Sequence, residues 1–342
     1  MVFFGLRPFA SGMALAIVAA ATAHAGETLD AVRERGVVRC GAPLDVPGFG
    51  FSDSNGQLSG LEVDYCRAVA AAVLGDSAKV EIVPLTPQTR FPALQSGEVD
   101  VAFRSTTLTF TRDTTLGFLF GPYSLYDGQG VMVPASLGAT KIEDLDGATI
   151  CVVPGSNSEL TIGDYFRAHN LSFTPISIEN SDDLRRAFLA GRCDVFTSDR
   201  SYLAVIRSVA PNPDDYVVLD ETIAKSSLAP IVRQGDDQWY NIIRWITYAP
   251  LVAEELGVSS ANADDLRANS PSPTIGRFLG KQADFANGLG LDDAWAYNIV
   301  KAVGNYAEIY DRNLGEASPI KLKRGDNQLY KDGGLHYPPP FL

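Results

Sequence analysis

A run rich in hydroxyl groups, Ser105-Thr106-Thr107-Leu108-Thr109-Phe110-Thr111, follows an apolar stretch and ends in a cation, Arg112. Arginine is the side chain whose planar fork matches a carboxylate in two parallel hydrogen bonds. In an open α/β sheet the loop after a strand end is where ligands gather. The same residues would also make a surface arginine beside a polar loop. A second cluster, Gly155-Ser156-Asn157, opens a helical stretch directly after a strand-like one. Free N–H groups and the helix dipole at such a place attract a carboxylate, although serine is also a routine helix cap.

Groups able to make or break bonds are scarce. No G-x-S-x-G occurs, and beyond residue 25 the histidines are His169 and His336, neither in an expected cleft loop. Ser318-Pro319-Ile320-Lys321 fits S-x-x-K but has no K-T-G partner and lies in the tail, so it is taken as chance. The cysteines Cys40, Cys66, Cys151 and Cys193 contain no C-x-x-C. With so little imidazole they do not read as a zinc site, and no metal or cofactor is expected. An even number in an exported chain favours two disulfides, with three connectivities open.

Export is written into the first 25 residues. Arg7 is followed by an apolar run over 9–21 and by Ala23-His24-Ala25, a small-x-small cleavage pattern. The mature chain should begin near Gly26, in the periplasm, and no cysteine stands there to carry a lipid. Losing Arg7 from 28 basic residues leaves 27 against 41 acids, a net charge of −14. Such a surface excludes nucleic acid and anionic lipid as natural partners. At 342 residues with 46% hydrophobic content, the chain has room for two ordinary domains.

The elements that must position these groups come as two similar cadences. The first has a helix over 28–35, a strand over 37–40, a helix over 61–74 ended by Gly75, a strand over 80–83, a helix over 91–96 and a strand over 99–103. The second has strands over 149–153, 173–178 and 193–197, with helices from Ser156 toward His169 and over 181–190, Ser181 as the cap. Each cadence is β-α-β-α-β, the mark of a parallel sheet with covering helices. Extended connectors are expected over 128–134 and 226–230. Beyond them come a strand at 230–233, helices over 237–256 and 292–312, and a proline-rich tail, 333–342, extended over the surface.

In this order and spacing, several segments resemble the polar amino-acid-binding proteins of periplasmic ATP-binding-cassette transporters. They are SGLEVDYCRAVA (59–70), FPALQSGEVDV (91–101) and TFTRD (109–113). YDGQG (126–130), GRCDV (191–195) and AYNIVK (296–301) resemble the general L-amino-acid-binding branch in particular. The resemblance implies an α/β, two-lobed periplasmic-binding-protein fold of type II, with two hinge strands and the ligand in the cleft between lobes. Lobe one would comprise 26–131 and 231–342, and lobe two 133–230. The protein would be a monomeric receptor that closes on a free L-amino acid and passes it to an inner-membrane permease with its ATPase. A periplasmic dehydratase-like enzyme on the same scaffold, or a ligand sensor for a membrane receptor, are the competing readings.

The resemblance also implies roles. Arg112 would clamp the ligand carboxylate, with Ser105 and Thr107 adding contacts, while Ser156, and beside it Asn157, would reach it from lobe two. Asp199, otherwise one loop acid among many, falls in the register of the ammonium-binding aspartate, and Asp194 is structural. Phe49 or Phe51, with the loop 86–90, would line the side-chain pocket, although both rings could be plain core. Many relatives carry Trp where this chain has Leu108, a departure that would bear on pocket shape. Cys40 ends the first strand and Cys66 lies on the helix covering it, whereas Cys151 and Cys193 sit in neighbouring strands. The preferred bridges are therefore Cys40–Cys66 and Cys151–Cys193, each within one lobe.

Overall fold

The computed structural model describes residues 1–2 and 26–342. The leader assigned to 1–25 thus lies, apart from its first two residues, outside the described residues.

Val38–Ala42 is buried at nearly every position, as a strand covered on both faces must be. It pairs in parallel with Val80–Pro84 on one side and Val101–Ala102 on the other. Ile231–Arg233 and Phe118–Phe120 complete a five-stranded sheet by antiparallel pairing. The helix Leu61–Leu74 is apolar around most of its circumference and is correspondingly buried, packed between the sheet and the helix Trp295–Val303. Its buried Asp64 accepts from Arg312 Nε at 3.0 Å and Asn313 Nδ2 at 2.7 Å, which fastens the C-terminal region to this lobe.

The second sheet repeats the plan. Thr174–Ser177, Thr149–Val152 and Val195–Asp199 run parallel, and Leu125–Pro134 joins antiparallel, followed by Tyr216–Val218. The chain crosses between the sheets along two paired strands. The first half of Leu125–Pro134 matches Ala224–Leu228 residue by residue, from Leu125 opposite Leu228 to Gln129 opposite Ala224. Two α/β lobes joined by this antiparallel ribbon are the periplasmic-binding-protein type II fold. The bridges are Cys40–Cys66 and Cys151–Cys193, with Cα atoms 5.7 and 5.6 Å apart, the preferred pairing.

Three expectations need correction. The helix over 292–312 is two helices: Trp295–Val303 stops at Gly304 (φ 79°), and Asn305 caps Tyr306–Asn313. Asn305 Oδ1 accepts from the Glu308 N–H at 3.0 Å while Glu308 Oε2 accepts from the Asn305 N–H at 2.8 Å, a reciprocal capping box. The cap of Ser181–Leu189 is Asn180, not Ser181, whose N–H is one of the first-turn donors without an intrahelical acceptor. The tail does not merely lie over the surface. Phe341 is buried among Trp245, Phe278, Phe285 and Trp295, ring centroids 5.2–6.2 Å away, and anchors the chain end.

Candidate ligand-binding site

On the first lobe the hydroxyl-rich loop is held from below. Ser105 adopts a left-handed backbone (φ 42°), unusual without glycine. Both its N–H and its hydroxyl donate to Glu62, a buried carboxylate near the start of Leu61–Leu74, and this supports the strained turn. Burial pushes the Glu62 carboxyl up, against the pull of Arg104 and of the Ser105 hydrogen bonds. Further along, the loop is zipped to the second crossing strand. The Thr106 carbonyl accepts from Ala229 at 3.0 Å, and the Thr107 hydroxyl meets that of Ser226 at 3.0 Å. Thr109 caps the turn Phe110–Thr115, and Arg112 Nη1 donates to the Thr107 carbonyl at 2.9 Å. Burial holds the Arg112 guanidinium below its ordinary pKa, and the charge of Asp199 opposes that shift.

Two further arginines join it. Arg90 begins the helix Arg90–Ser96 and is 2% exposed, and the buried Arg104 donates from Nε to the Leu85 carbonyl at 2.5 Å. The Phe91 ring lies beneath both Arg90 (Cζ 4.8 Å from the centroid) and Arg112 (5.5 Å).

The facing wall comes from element ends of the second lobe. Ser156 caps Asn157–Ala168, its hydroxyl accepting from the Glu159 N–H at 3.1 Å. Asp199 ends the strand Val195–Asp199 and occupies the N-cap of Arg200–Ser208, yet its carboxylate makes no capping hydrogen bond. That leaves the carboxylate available to the cleft. Burial, then the charge of Asp127 on the first crossing strand, raises the Asp199 pKa; the Ser226 hydroxyl, Arg112 and Arg90 act the other way. Asp127 is raised as well, chiefly by burial, although Ser201 and Gly128 donate to it. Asp194 lies apart, bonded to the N–H and hydroxyl of Thr149 at 2.8 and 2.6 Å.

These two walls enclose a cavity of about 70 Å³. Phe49, Ser105, Thr107 and Arg112 line it from the first lobe, and Ser156, Asn157 and Asp199 from the second, so these seven expected residues are brought together. Phe49 is at once wall and core, while Phe51 is not on the lining. The cleft is shut. Thr86 Oγ1 donates to Glu179 Oε1 at 3.0 Å, and the first-turn Ser181 N–H donates to Asp45 Oδ2 at 3.0 Å.

Sequence reasoning missed Arg104 and Glu62, because a cation after a strand and an acid in a helix's first turn are commonplace. Leu108 is placed differently from the expectation attached to it. It borders a groove with Pro122, Tyr123, Tyr126 and His336 and does not line the cavity. The histidines lie elsewhere. His169 stacks on Tyr165, and the buried His336 sits between Tyr126 and Tyr306, its pKa lowered to about 3 by burial and Arg324. The Ser318 hydroxyl donates to the Gly315 carbonyl at 2.8 Å and Lys321 is exposed, so S-x-x-K forms no dyad. Among the described residues no His/Cys/Asp/Glu cluster suits a metal, and no helix is long and apolar enough to cross a membrane.

A paired-sheet clamp with charged groups converging on a closed cleft is the architecture of a solute receptor. Residues 38–258 match the model of the bacterial extracellular solute-binding proteins, family 3, and the chain belongs to that family, a binding protein and not an enzyme. It is 48% identical over 93% of both chains to a putative amino-acid ABC transporter-binding protein, YhdW, of Escherichia coli O157:H7. It is 47% identical over 97% of both chains to the general L-amino acid-binding periplasmic protein AapJ of Rhizobium johnstonii. A solved periplasmic binding protein from Brucella ovis, with glutathione bound, is 44% identical and superposes with a TM-score of 0.88 over 92% of this chain and 99% of that one.

Proposed function

We propose that the cavity takes a free L-amino acid by its two backbone charges, and that the closed form carries it to an ABC permease. The observation that carries this reading is the approach of Arg112 and Asp199 from opposite lobes to one small cavity. A buried zwitterion needs a partner for each charge, since an unpaired one is costly. Arg112 grips the carboxylate, assisted by Ser105 and Thr107, with Ser156 and Asn157 adding contacts from the second lobe. Asp199 takes the ammonium, and Phe49 forms an apolar wall.

In this account the lobes comprise 26–131 with 231–342, and 133–230, and they rotate about the paired strands. Contacts from Ser156 and Asp199 form only on closure, and that difference is what lets a ligand shift the equilibrium. The leader is removed near Ala25, and the protein works as a soluble periplasmic monomer. Both similar curated proteins are described as amino-acid-binding, which supports the ligand class. The glutathione of the Brucella ovis protein presents an ammonium and a carboxylate on one carbon at its γ-glutamyl end, so it belongs in the same test. Refolded, ligand-free protein is titrated calorimetrically with L- and D-amino acids, keto acids and glutathione. Binding that requires both ammonium and carboxylate is the expected result; equal binding of keto acids would remove Asp199 from the account.

A further inference from the structure

Asp199 stands where a helix cap belongs and does not act as one. An aspartate at the N-cap ordinarily turns its carboxylate back to a first-turn N–H, which holds the side chain against its own helix. In Arg200–Ser208 the N-cap position is Asp199, and no capping hydrogen bond comes from it. The first turn is served from another element. Asp127, on the crossing strand Leu125–Pro134, accepts from the Ser201 N–H at 3.2 Å and from the Ser201 hydroxyl, while its other oxygen accepts from the Gly128 N–H at 2.7 Å.

The strand register brings this about. Asp199 lies opposite Gln129, two residues along from Asp127, and the pleat puts residues 127, 129 and 199 on one face of the sheet, at the start of one helix. Each carboxylate then serves a different space. Asp199 lines the ligand cavity, and Asp127 lines a separate one with Arg200, Ser201 and Tyr310. With the Ser201 donors already taken, Asp199 gains little by turning back, and turning back would press two like charges together. Burial first, and then the charge of Asp127, already raises the Asp199 pKa.

Resting on the reading of Asp199 as the ammonium partner, we propose that Asp127 is a positioning residue: it caps Arg200–Ser208 from the crossing strand and so leaves the Asp199 carboxylate free for the ligand. Asp127 itself touches no ligand. Its hold ties the start of a second-lobe helix to the strand that joins the lobes, so the ammonium partner is oriented from the hinge. Without Asp127, the vacant first turn draws Asp199 back as an ordinary cap and away from the ligand.

The test is a pair of double-variant cycles over Asp127→Ala and Asp199→Ala. One is read by calorimetric titration of refolded protein with the tightest-binding L-amino acid, the other by melting of the unliganded proteins. In titration, Asp127→Ala should weaken binding roughly 5- to 30-fold, the competition that a helix cap can offer. Asp199→Ala should weaken it at least about tenfold, and adding Asp127→Ala to that variant should change affinity less than about twofold. In melting the coupling should run the other way, because either aspartate can cap. The double variant should fall at least about 2 °C further than the two single shifts together. Asp127→Asn, whose amide oxygen still accepts from the Ser201 N–H, should bind within about threefold of wild type. An Asn variant as weak as the Ala variant, equal losses from Asp127→Ala in both backgrounds, or additive melting shifts would overturn the proposal. So would an Asp127→Ala protein that binds as wild type does or fails to fold, since Asp199 should take over the cap. Wild-type affinity in Asp199→Ala would instead defeat the ammonium reading itself.

Discussion

The two lobes share a plan and differ in what they bring to the cleft. The first supplies side chains already fixed from behind: Ser105 rests on Glu62, and Arg112 is tied to the Thr107 carbonyl. The second supplies ends of elements, Ser156 at a helix start and Asp199 at a strand end. The first lobe also holds the C-terminal region that the family match, 38–258, does not include. That region grips one crossing strand. Asn327 Oδ1 accepts from the Tyr126 N–H at 2.7 Å, its Nδ2 donates to the Tyr126 carbonyl at 2.9 Å, and the Tyr306 hydroxyl donates to the Ser124 carbonyl at 3.0 Å. On the proposed reading the difference is a division of labour: one lobe would present a preorganised half-site, and the other would complete it on closure.

The comparison breaks most decisively at Arg112. Arg112→Ala leaves the ligand carboxylate unpaired and should cost about 2–5 kcal/mol of binding, roughly 30-fold or more in Kd by calorimetry. Near-normal affinity would remove the half-site from the first lobe. Cys151→Ala/Cys193→Ala should lower stability by about 3–4 kcal/mol in urea denaturation. Cys40→Ala/Cys66→Ala should cost nearly the same, because separations of 26 and 42 residues differ by only about 0.4 kcal/mol of loop entropy. The first-lobe pair alone should also weaken the ligand, since Cys66 sits on the helix that carries Glu62.

Asp199 sharpens the contrast through pH. Its carboxyl is raised by burial and by Asp127, so as pH falls it protonates earlier than an ordinary carboxylate, near pH 4, would. Binding of an ammonium is therefore present above the raised pKa and lost as pH falls through it. Closure on the ligand should release protons near neutrality, read from calorimetry in buffers of differing ionisation enthalpy. Asp199→Asn should cost about 1.5–3 kcal/mol of binding and abolish the proton release. Asn327→Ala leaves the Tyr126 main chain short of two partners and should lower stability by about 1–3 kcal/mol. It should also broaden the unliganded envelope in small-angle scattering, with less effect on Kd than Arg112→Ala. Smallest of all, Leu108→Trp should leave Kd within about threefold, because residue 108 lies outside the cavity.

Where chemistry and element order coincide, the amino-acid sequence was sufficient. Cysteines on a strand and on its covering helix, and on neighbouring strands, pointed to both bridges. Arg112 and Asp199 stood out through the register of a resemblance, since as isolated residues they are ordinary. What escaped was set by tertiary context. Glu62 reads as a favourable acid in a helix's first turn and only the fold turns it inward beneath Ser105. Phe341 near the chain end gives no local sign of its aromatic socket. The break at Gly304 was legible, because Asn305 and Glu308 have the spacing of a capping box.

The central claim is that one ligand is held by its carboxylate on the first lobe and its ammonium on the second. The most direct measurement is calorimetric titration of refolded wild type with the tightest-binding L-amino acid, its N-acetyl derivative and its methyl ester. Both modified ligands should lose at least about 30-fold in affinity, each having forfeited one charge pair. If either bound as well as the parent, the two-lobe grip by Arg112 and Asp199 would be contradicted.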